Sequence, residues 1–376
     1  MPELDTLRGI AVLMVLFFHG FNGAPFPLLP LPKAARAFIS LTAGGWAGVN
    51  LFFVLSGFLI TGILLDSRTS PVYYRKFYWR RILRILPAYY LILLVLLAVT
   101  RMGLVYRRAG WPFLGLSAIY LANLTELFGA PSQYTVLWSL AVEEHYYLLW
   151  PTAVRFFSRR GLLIASLCLI VGCPLLRTYY FFQHYQFGAG YTWLVADGLA
   201  CGSLLAILTR TTLTSVKRLA WFAFGVAALA AFIFAAGLPH GIYLSRTLAG
   251  GAFRHTFLNT AFTALIAATL AIGSTRFAHF VCVSWFRFVG EISYGFYLVH
   301  MLAFDVVDHF GSLHLPAIYG SPQTFTTLVL RFAAGALLAG TLAYLSRWYF
   351  EEQFLRLKDK PFRRIRSADS EEGRPL

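Results

Sequence analysis

The chain has 376 residues, of which 58% are hydrophobic and only 13% charged, with a net charge of +16. Soluble domains carry about a quarter charged residues, so this composition excludes an ordinary water-soluble enzyme and implies a polytopic helical membrane protein. The positive excess would suggest nucleic acid in a soluble protein. In a membrane protein the positive-inside rule and the anionic inner leaflet account for it, so a lipid bilayer is the expected partner and no nucleic acid is.

In chain order, apolar segments fall at 8–24, 46–65, 85–100, 112–128, 136–154, 162–182, 191–208, 219–237, 257–273, 288–307 and 324–346. They are continuous rather than alternating, which argues against a β-barrel. No small-residue cleavage site closes the first run, so it is expected to stay as the first transmembrane helix. The weakest segment is 112–128, which carries Pro112, Asn123 and Glu126 and is followed by Pro131. If it does not cross, most of the 32 basic residues lie on the cytoplasmic side. If it does cross, most lie outside, against the positive-inside rule. The expectation is therefore an all-α transmembrane bundle of about ten spanning helices. Both termini are cytoplasmic, and 112–128 is re-entrant or peripheral. Residues 1–355 form the membrane domain, and 356–376 form a basic cytoplasmic tail expected to be disordered. No appended soluble domain is expected.

The four cysteines, at 168, 173, 201 and 282, match no zinc or disulfide spacing and read as small buried hydrophobes. No metal cluster, phosphate loop, dinucleotide fingerprint or nucleophile elbow is present in the sequence. The chemistry-bearing residues lie in the apolar runs instead. LRGIAVLMVLFFH places Arg8 at the mouth of the first run and His19 eleven positions on, about 16 Å along a helix and near mid-membrane. An ionisable side chain at that depth faces a cavity or a partner.

The second run, GWAGVNLFFVLSGFLITGILL, holds small residues suited to close helix contact, together with Asn50 and Ser56. YYRKFYWRRILRILPAYY follows, with Arg75, Lys76, Arg80, Arg81 and Arg84 among aromatics such as Tyr78. Guanidinium groups grip phosphates and aromatic rings stack on an adenine, so a nucleotide-bearing cosubstrate suits this turn. Lipid headgroups are the plainer alternative. LWSLAVEEHYYLLWP puts Trp138 and Ser139 near the outer face, with Glu143 and Glu144 deeper. Adjacent carboxylates point about 100° apart on a helix, so one of them lines a given cavity. Asp197 stands in a Gly-rich context consistent with either a polar site or tight packing, and GEISYGFYLVH carries Tyr297 and His300 inward.

These segments together resemble the membrane acyltransferase-3 family of O-antigen and exopolysaccharide acetyltransferases. The matches run in the family's order: LDTLRGIAVLMVLFFH, GVNLFFVLSGFLITG, FYWRRILRILPAYY, WSLAVEEHYYLLWP and ISYGFYLVH. The family's Arg-x10-His signature falls on Arg8 and His19, its Arg-x-x-Arg on Arg81 and Arg84, and its WSLxxE on Trp138, Ser139 and Glu143. The resemblance implies an acyl-CoA-dependent O-acyltransferase of the bacterial inner membrane. It would move an acyl group, most simply acetyl, from cytoplasmic acyl-CoA to a hydroxyl of a carbohydrate or lipid-linked glycan. No cofactor beyond that cosubstrate is implied.

Many relatives carry an extracytoplasmic hydrolase-like domain that is not expected here, which suggests a self-sufficient enzyme or a separate extracytoplasmic transferase partner. In the expected chemistry His19 is the general base, Glu143 or Glu144 orients it, and Arg8 stabilises the oxyanion or holds a phosphate. Arg80, Arg81, Arg84 and Tyr78 bind acyl-CoA, and Asn50, Ser56, Trp138, Ser139, Tyr297 and His300 line the acceptor side. This account requires His19 to communicate with the arginine-lined mouth. The rival readings are a carrier or flippase for a glycan or small acid, and acylation of a secondary-metabolite sugar.

Overall fold

The computed structural model describes residues 1–25, 29–105, 107–130, 133–183, 190–316 and 324–358. Among these the chain is helical throughout, with no strand. Most of the expected tail, from 359 onward, lies outside the described residues.

Helix α1 (Pro2–Asn22) opens with Pro2 in its first turn and Glu3 and Asp5 close behind. Both choices suit the positive end of a helix dipole. Helix α2 (Lys33–Ala43) runs through a 3-10 turn into α3 (Gly48–Asp66). Helix α4 (Tyr73–Met102) is the longest at 30 residues, and Gly103 closes it in the left-handed region at φ 67°. Helices α5 (Trp111–Ala118), α6 (Leu137–Phe156), α7 (Arg159–Phe182), α8 (Thr192–Val195) and α9 (Asp197–Thr209) follow. After them come α10 (Val216–Gly237), α11 (Arg254–Gly273), α12 (Ser284–Glu291), α13 (Ser293–His314) and α14 (Phe325–Leu345). The predicted segment 288–307 is thus two helices meeting at Ile292, and 191–208 is likewise split at Ala196.

Seven of the described helical stretches are long and apolar enough to cross a membrane. The remaining three predicted spans correspond to α6, α9 and α13. Helix α9 is apolar but only 13 residues long. Helices α6 and α13 are long enough, but carry Glu143, Glu144, Asp305 and Asp308. These helices carry acidic residues of the interior, and two of those, Asp197 and Asp308, pair with arginines on the strongly apolar α7 and α14.

Segment 112–128 does not form a spanning helix. Helix α5 has 8 residues, about 12 Å against a hydrocarbon core of ~30 Å. It packs on α4, where the Tyr89 and Tyr90 hydroxyls donate to the carbonyls of Ser117 and Ala118. Tyr89 lies about 20 Å along the helix from Met102, so the segment dips well into the bundle. The turn at its tip has a 6→1 bond from Leu121 N–H to the Leu116 carbonyl and a 5→2 bond from Tyr120 N–H to the Ser117 carbonyl. This is a Schellman cap with Tyr120 in the left-handed position at φ 59°. A non-glycine residue there is strained by about 1 kcal/mol or more. Stacking of its ring on Tyr89, with centroids 4.3 Å apart, offsets that cost.

Glycines set two backbone contacts that position the site. A Cβ on Gly9 would lie 1.9 Å from the Phe286 carbonyl oxygen, and one on Gly290 would lie 1.9 Å from that of Asp5. Helices α1 and α12 are thereby pressed together beside Arg8. Gly57 and Gly202 join α3 to α9 in the same reciprocal way, against Leu199 and Val54. Helix α1 is the hub of the bundle, touching α2, α3, α11, α12, α13 and α14.

Candidate functional site

Four stripes at helical spacing converge on one chamber of about 250 Å³. Helix α3 contributes Phe52 and Ser56, and α4 contributes Arg81 and Arg84. Ser139, Glu143 and Tyr147, each four residues apart on α6, share one face and all line it. Tyr294 and Tyr297 come from α13, and Arg8 reaches in from α1. Seven residues singled out in the sequence thus meet here: Arg8, Ser56, Arg81, Arg84, Ser139, Glu143 and Tyr297.

The arginines differ in their engagement. Arg81 lies over the Tyr147 ring, 3.1 Å from its centroid, and sits between two carboxylates. Its Nη2 is 4.0 Å from Glu143 Oε2 and its Nε is 3.4 Å from Glu144 Oε1. The second is an ion-pair contact and not an aligned hydrogen bond. Glu143 is the chamber's internal brace, accepting from Ser56 Oγ at 2.9 Å and Tyr147 OH at 3.0 Å. Glu144 faces Arg81 without lining the chamber. Arg8 pairs with Asp5 at 3.2 Å. Arg84 lines the chamber and has no carboxylate partner among the described residues. Three cations, Arg8, Arg81 and Arg84, thus crowd one chamber.

His19 lies elsewhere. It does not line the arginine chamber but opens into a separate cleft of about 20 Å³, with Gly23, Arg107, Met301, Phe304, Asp305, Asp308 and Arg331. The expected communication with the arginine mouth is therefore not open in this conformation. Nor does a glutamate orient the ring, because Arg81 holds both glutamates. The His19 Nδ1 is 3.0 Å from the Val15 carbonyl oxygen and 3.2 Å from Nε2 of His300. His300 is fully buried, and its Nδ1 is 2.7 Å from the Tyr297 carbonyl oxygen. The Tyr297 hydroxyl meets Ser139 Oγ at 2.6 Å at the chamber wall. Tyr297 and His300 thus form the partition between chamber and cleft.

Other predicted residues lie outside the chamber lining. Asn50 lies outside the chamber and donates to Asn259 Oδ1 at 2.8 Å, beside His255. Trp138 packs against Phe53 and leaves no room for a side chain at Gly190. The Tyr78 hydroxyl donates to the Leu148 carbonyl, tying α4 to α6. Arg80 is absent from the chamber lining. Asp197 forms a buried ion pair with Arg177 at 2.9 Å, while its neighbours Gly198 and Gly202 pack tightly. Sequence reasoning missed Tyr147, although the Ser139–Glu143–Tyr147 spacing signals it. It also missed Arg107, Asp305, Asp308 and Arg331, which stand in no shared motif. Among the described residues, no group of three or more His, Cys, Asp or Glu side chains converges as a metal site.

The chain is similar to YrhL of Bacillus subtilis, whose name assigns it provisionally as a peptidoglycan O-acetyltransferase, with 34% identity over 46% of this chain and 27% of that protein. It is 30% identical to the peptidoglycan O-acetyltransferase OatA of Listeria monocytogenes, over 42% of this chain and 25% of the relative. It is 28% identical to the O-acetyltransferase OatA of Staphylococcus aureus, over 43% and 26% respectively. The matched region spans about a quarter of the length of these curated relatives. No solved structure matches. The acyltransferase-domain model Acyl_transf_3 matches residues 1–348, the whole helical bundle with its arginine chamber and its intramembrane histidines, and the chain belongs to that family of acyltransferases.

Proposed function

We propose that this protein is a multi-pass membrane O-acetyltransferase that moves an acetyl group from acetyl-CoA to a hydroxyl of a cell-envelope glycan. The observation that carries this reading is the pairing of an arginine chamber at one end of the bundle with a histidine cleft nearer the other. Arg84 and Arg8 supply positive charge for the phosphates of a coenzyme A cosubstrate. Arg81, held by two glutamates, braces the chamber wall without being free to move. The O-acetyltransferase names of the relatives support the transferred group and a glycan acceptor.

In this reading the extended acyl arm bridges the ~16 Å along α1 between Arg8 and His19. Reaching His19 requires the Tyr297 partition, closed in this conformation, to open for the thioester. The Nδ1 of His300 donates to the Tyr297 carbonyl, so its Nε2 accepts from Nδ1–H of His19. The Nε2 of His19 is then the basic nitrogen. It takes the proton from the acceptor hydroxyl as that oxygen bonds to the thioester carbonyl carbon. The carbon–sulfur bond breaks, and the departing thiolate recovers the proton from His19.

The test is acetyl transfer by the purified protein in lipid nanodiscs, using labelled acetyl-CoA and a peptidoglycan-derived oligosaccharide. Labelled glycan from the native protein, reduced about 10²-fold or more by His19→Ala, is the expected result. Equal labelling by both would remove His19 from its role. A second reading has one observation in its favour: two cavities separated by a thin partition are also the arrangement of an alternating-access carrier. A carrier would show transport in sealed vesicles and no cell-free transfer.

A further inference from the structure

The cleft beside His19 lies at the opposite end of α4 from the arginine chamber. Arg107, which follows Met102 at the far end of that helix, is exposed at its rim. One oxygen of Asp305 accepts the backbone N–H of Arg107 at 2.9 Å, and the Arg107 guanidinium donates to the Gly23 carbonyl at 3.0 Å. The other oxygen of Asp305 takes no hydrogen bond from a described residue. The deeper pair is different in kind. Arg331 and Asp308 are both nearly fully buried and joined twice, at 2.5 and 2.8 Å, and Arg331 also donates to Gly20. That pair is saturated and forms the floor. Asp305 is half-buried, held from one side only, and open on the other.

We propose that this cleft is the acceptor subsite, where Asp305, oriented by Arg107, accepts a hydrogen bond from one hydroxyl of a polyhydroxylated acceptor while a second reaches His19. This deepens the acetyltransferase reading and rests on it for the identity of the reaction. The cleft, at about 20 Å³, has room for about one water-sized group. A sugar ring therefore stays at the rim, and a single hydroxyl projects inward. A carboxylate with an open oxygen at the rim fits a neighbouring hydroxyl of the same molecule, and a charge-assisted hydrogen bond of this kind discriminates strongly between acceptors with and without it. Nothing in the cleft resembles an adenine or phosphate site, since its one rim cation, Arg107, is already committed to Gly23.

The experiment uses the full chain in nanodiscs and two readouts. One is the KM for a peptidoglycan-derived oligosaccharide in the acetyl-transfer assay. The other is direct binding of the same oligosaccharide, together with acetyl-CoA affinity. Asp305→Asn, nearly isosteric and checked by thermal unfolding, is expected to raise the acceptor KM and weaken oligosaccharide binding by about tenfold or more. Acetyl-CoA affinity and kcat at saturating acceptor should stay within about twofold. Asp305→Glu should recover part of the loss. Unchanged oligosaccharide binding in Asp305→Asn, or a loss confined to acetyl-CoA, would overturn the assignment while leaving the acetyltransferase reading intact. If the native protein binds the oligosaccharide through Asp305 yet transfers nothing, the acceptor site stands and the reaction assigned to it falls.

Discussion

The Nε2 of His300 lies 3.2 Å from the Nδ1 of His19, across the interface of α1 and α13. His300 has no access to either cavity, so its contribution acts through its neighbour. Its own Nδ1 is committed to the Tyr297 carbonyl, which leaves Nε2 as an acceptor that shares the His19 Nδ1–H with the Val15 carbonyl. The Val15 carbonyl still holds the Nδ1–H tautomer of His19 without His300, so His300→Leu should lower kcat by about tenfold or less, with the KM of both substrates little changed. His300→Gln, whose side-chain oxygen can accept from His19, should retain most of what leucine loses. Equal losses in the two variants, or losses expressed in KM, would show that His300 only packs.

Arg81 and Arg84 share a helix face and a sequence motif, but their surroundings predict different defects. Truncating Arg81 leaves Glu143 and Glu144 facing each other with little solvent, their side chains 15% and 22% exposed. Arg81→Ala should destabilise the protein by up to about 3 kcal/mol. The combined replacement Arg81→Ala with Glu143→Gln and Glu144→Gln should recover much of that loss. Arg84 has no carboxylate to strand, so Arg84→Ala should alter stability by no more than about 0.5 kcal/mol. It should weaken acetyl-CoA binding about tenfold or more. Thermal unfolding and donor affinity, measured on both variants, separate the two roles. A destabilised Arg84→Ala with normal donor affinity would contradict this division.

The helices and the arginine chamber were legible in the sequence because both rest on local information. Apolar run length gives α1, α3, α4, α7, α10, α11 and α14 within a few residues at most ends. Spacings of three and four place Arg81 with Arg84 and Glu143 with Ser139. What periodicity does not encode is which face of one helix meets which face of another. His19 and Arg8 share a helix, yet they open to different cavities, because the eleven-residue separation carries His19 past the Tyr297 partition. The partner of His19 was expected among carboxylates and is a histidine 281 positions away. Arg331 stands alone in an apolar run and its partner Asp308 is on a different helix, so spacing along the sequence does not reveal the pair.

That pair makes a prediction of its own. Arg331 and Asp308 are 2% and 3% exposed at their side chains, and the guanidinium also holds the Gly20 carbonyl one residue from His19. Arg331→Met leaves an unpaired carboxylate in the bundle and should cost about 3–5 kcal/mol. Arg331→Met combined with Asp308→Leu removes both charges and should be close to neutral in stability. Its activity should stay low, because the Gly20 carbonyl loses its donor and the end of α1 is no longer fixed. A double-mutant cycle on unfolding free energy, read beside transfer rate, gives both results. Additive single effects would mean that the two side chains are not coupled.

The course of the chain between α4 and α6 decides the orientation of everything after it. Helix α5 is too short to cross, and its C-terminal carbonyls are held by tyrosines near the middle of α4. Arg101 and Thr135 flank this stretch and are both exposed. We expect single cysteines at Arg101→Cys and Thr135→Cys, in a background lacking the four native cysteines, to react with a membrane-impermeant maleimide from the same face of right-side-out vesicles. Arg159→Cys, at the start of α7 and about 30 Å along α6 from Thr135, should react only when the vesicles are opened. Labelling of Arg101→Cys and Thr135→Cys from opposite faces would require 112–128 to span the bilayer. It would invert α6 and α13 and put the His19 cleft and the arginine chamber on the wrong sides for cytoplasmic acetyl-CoA.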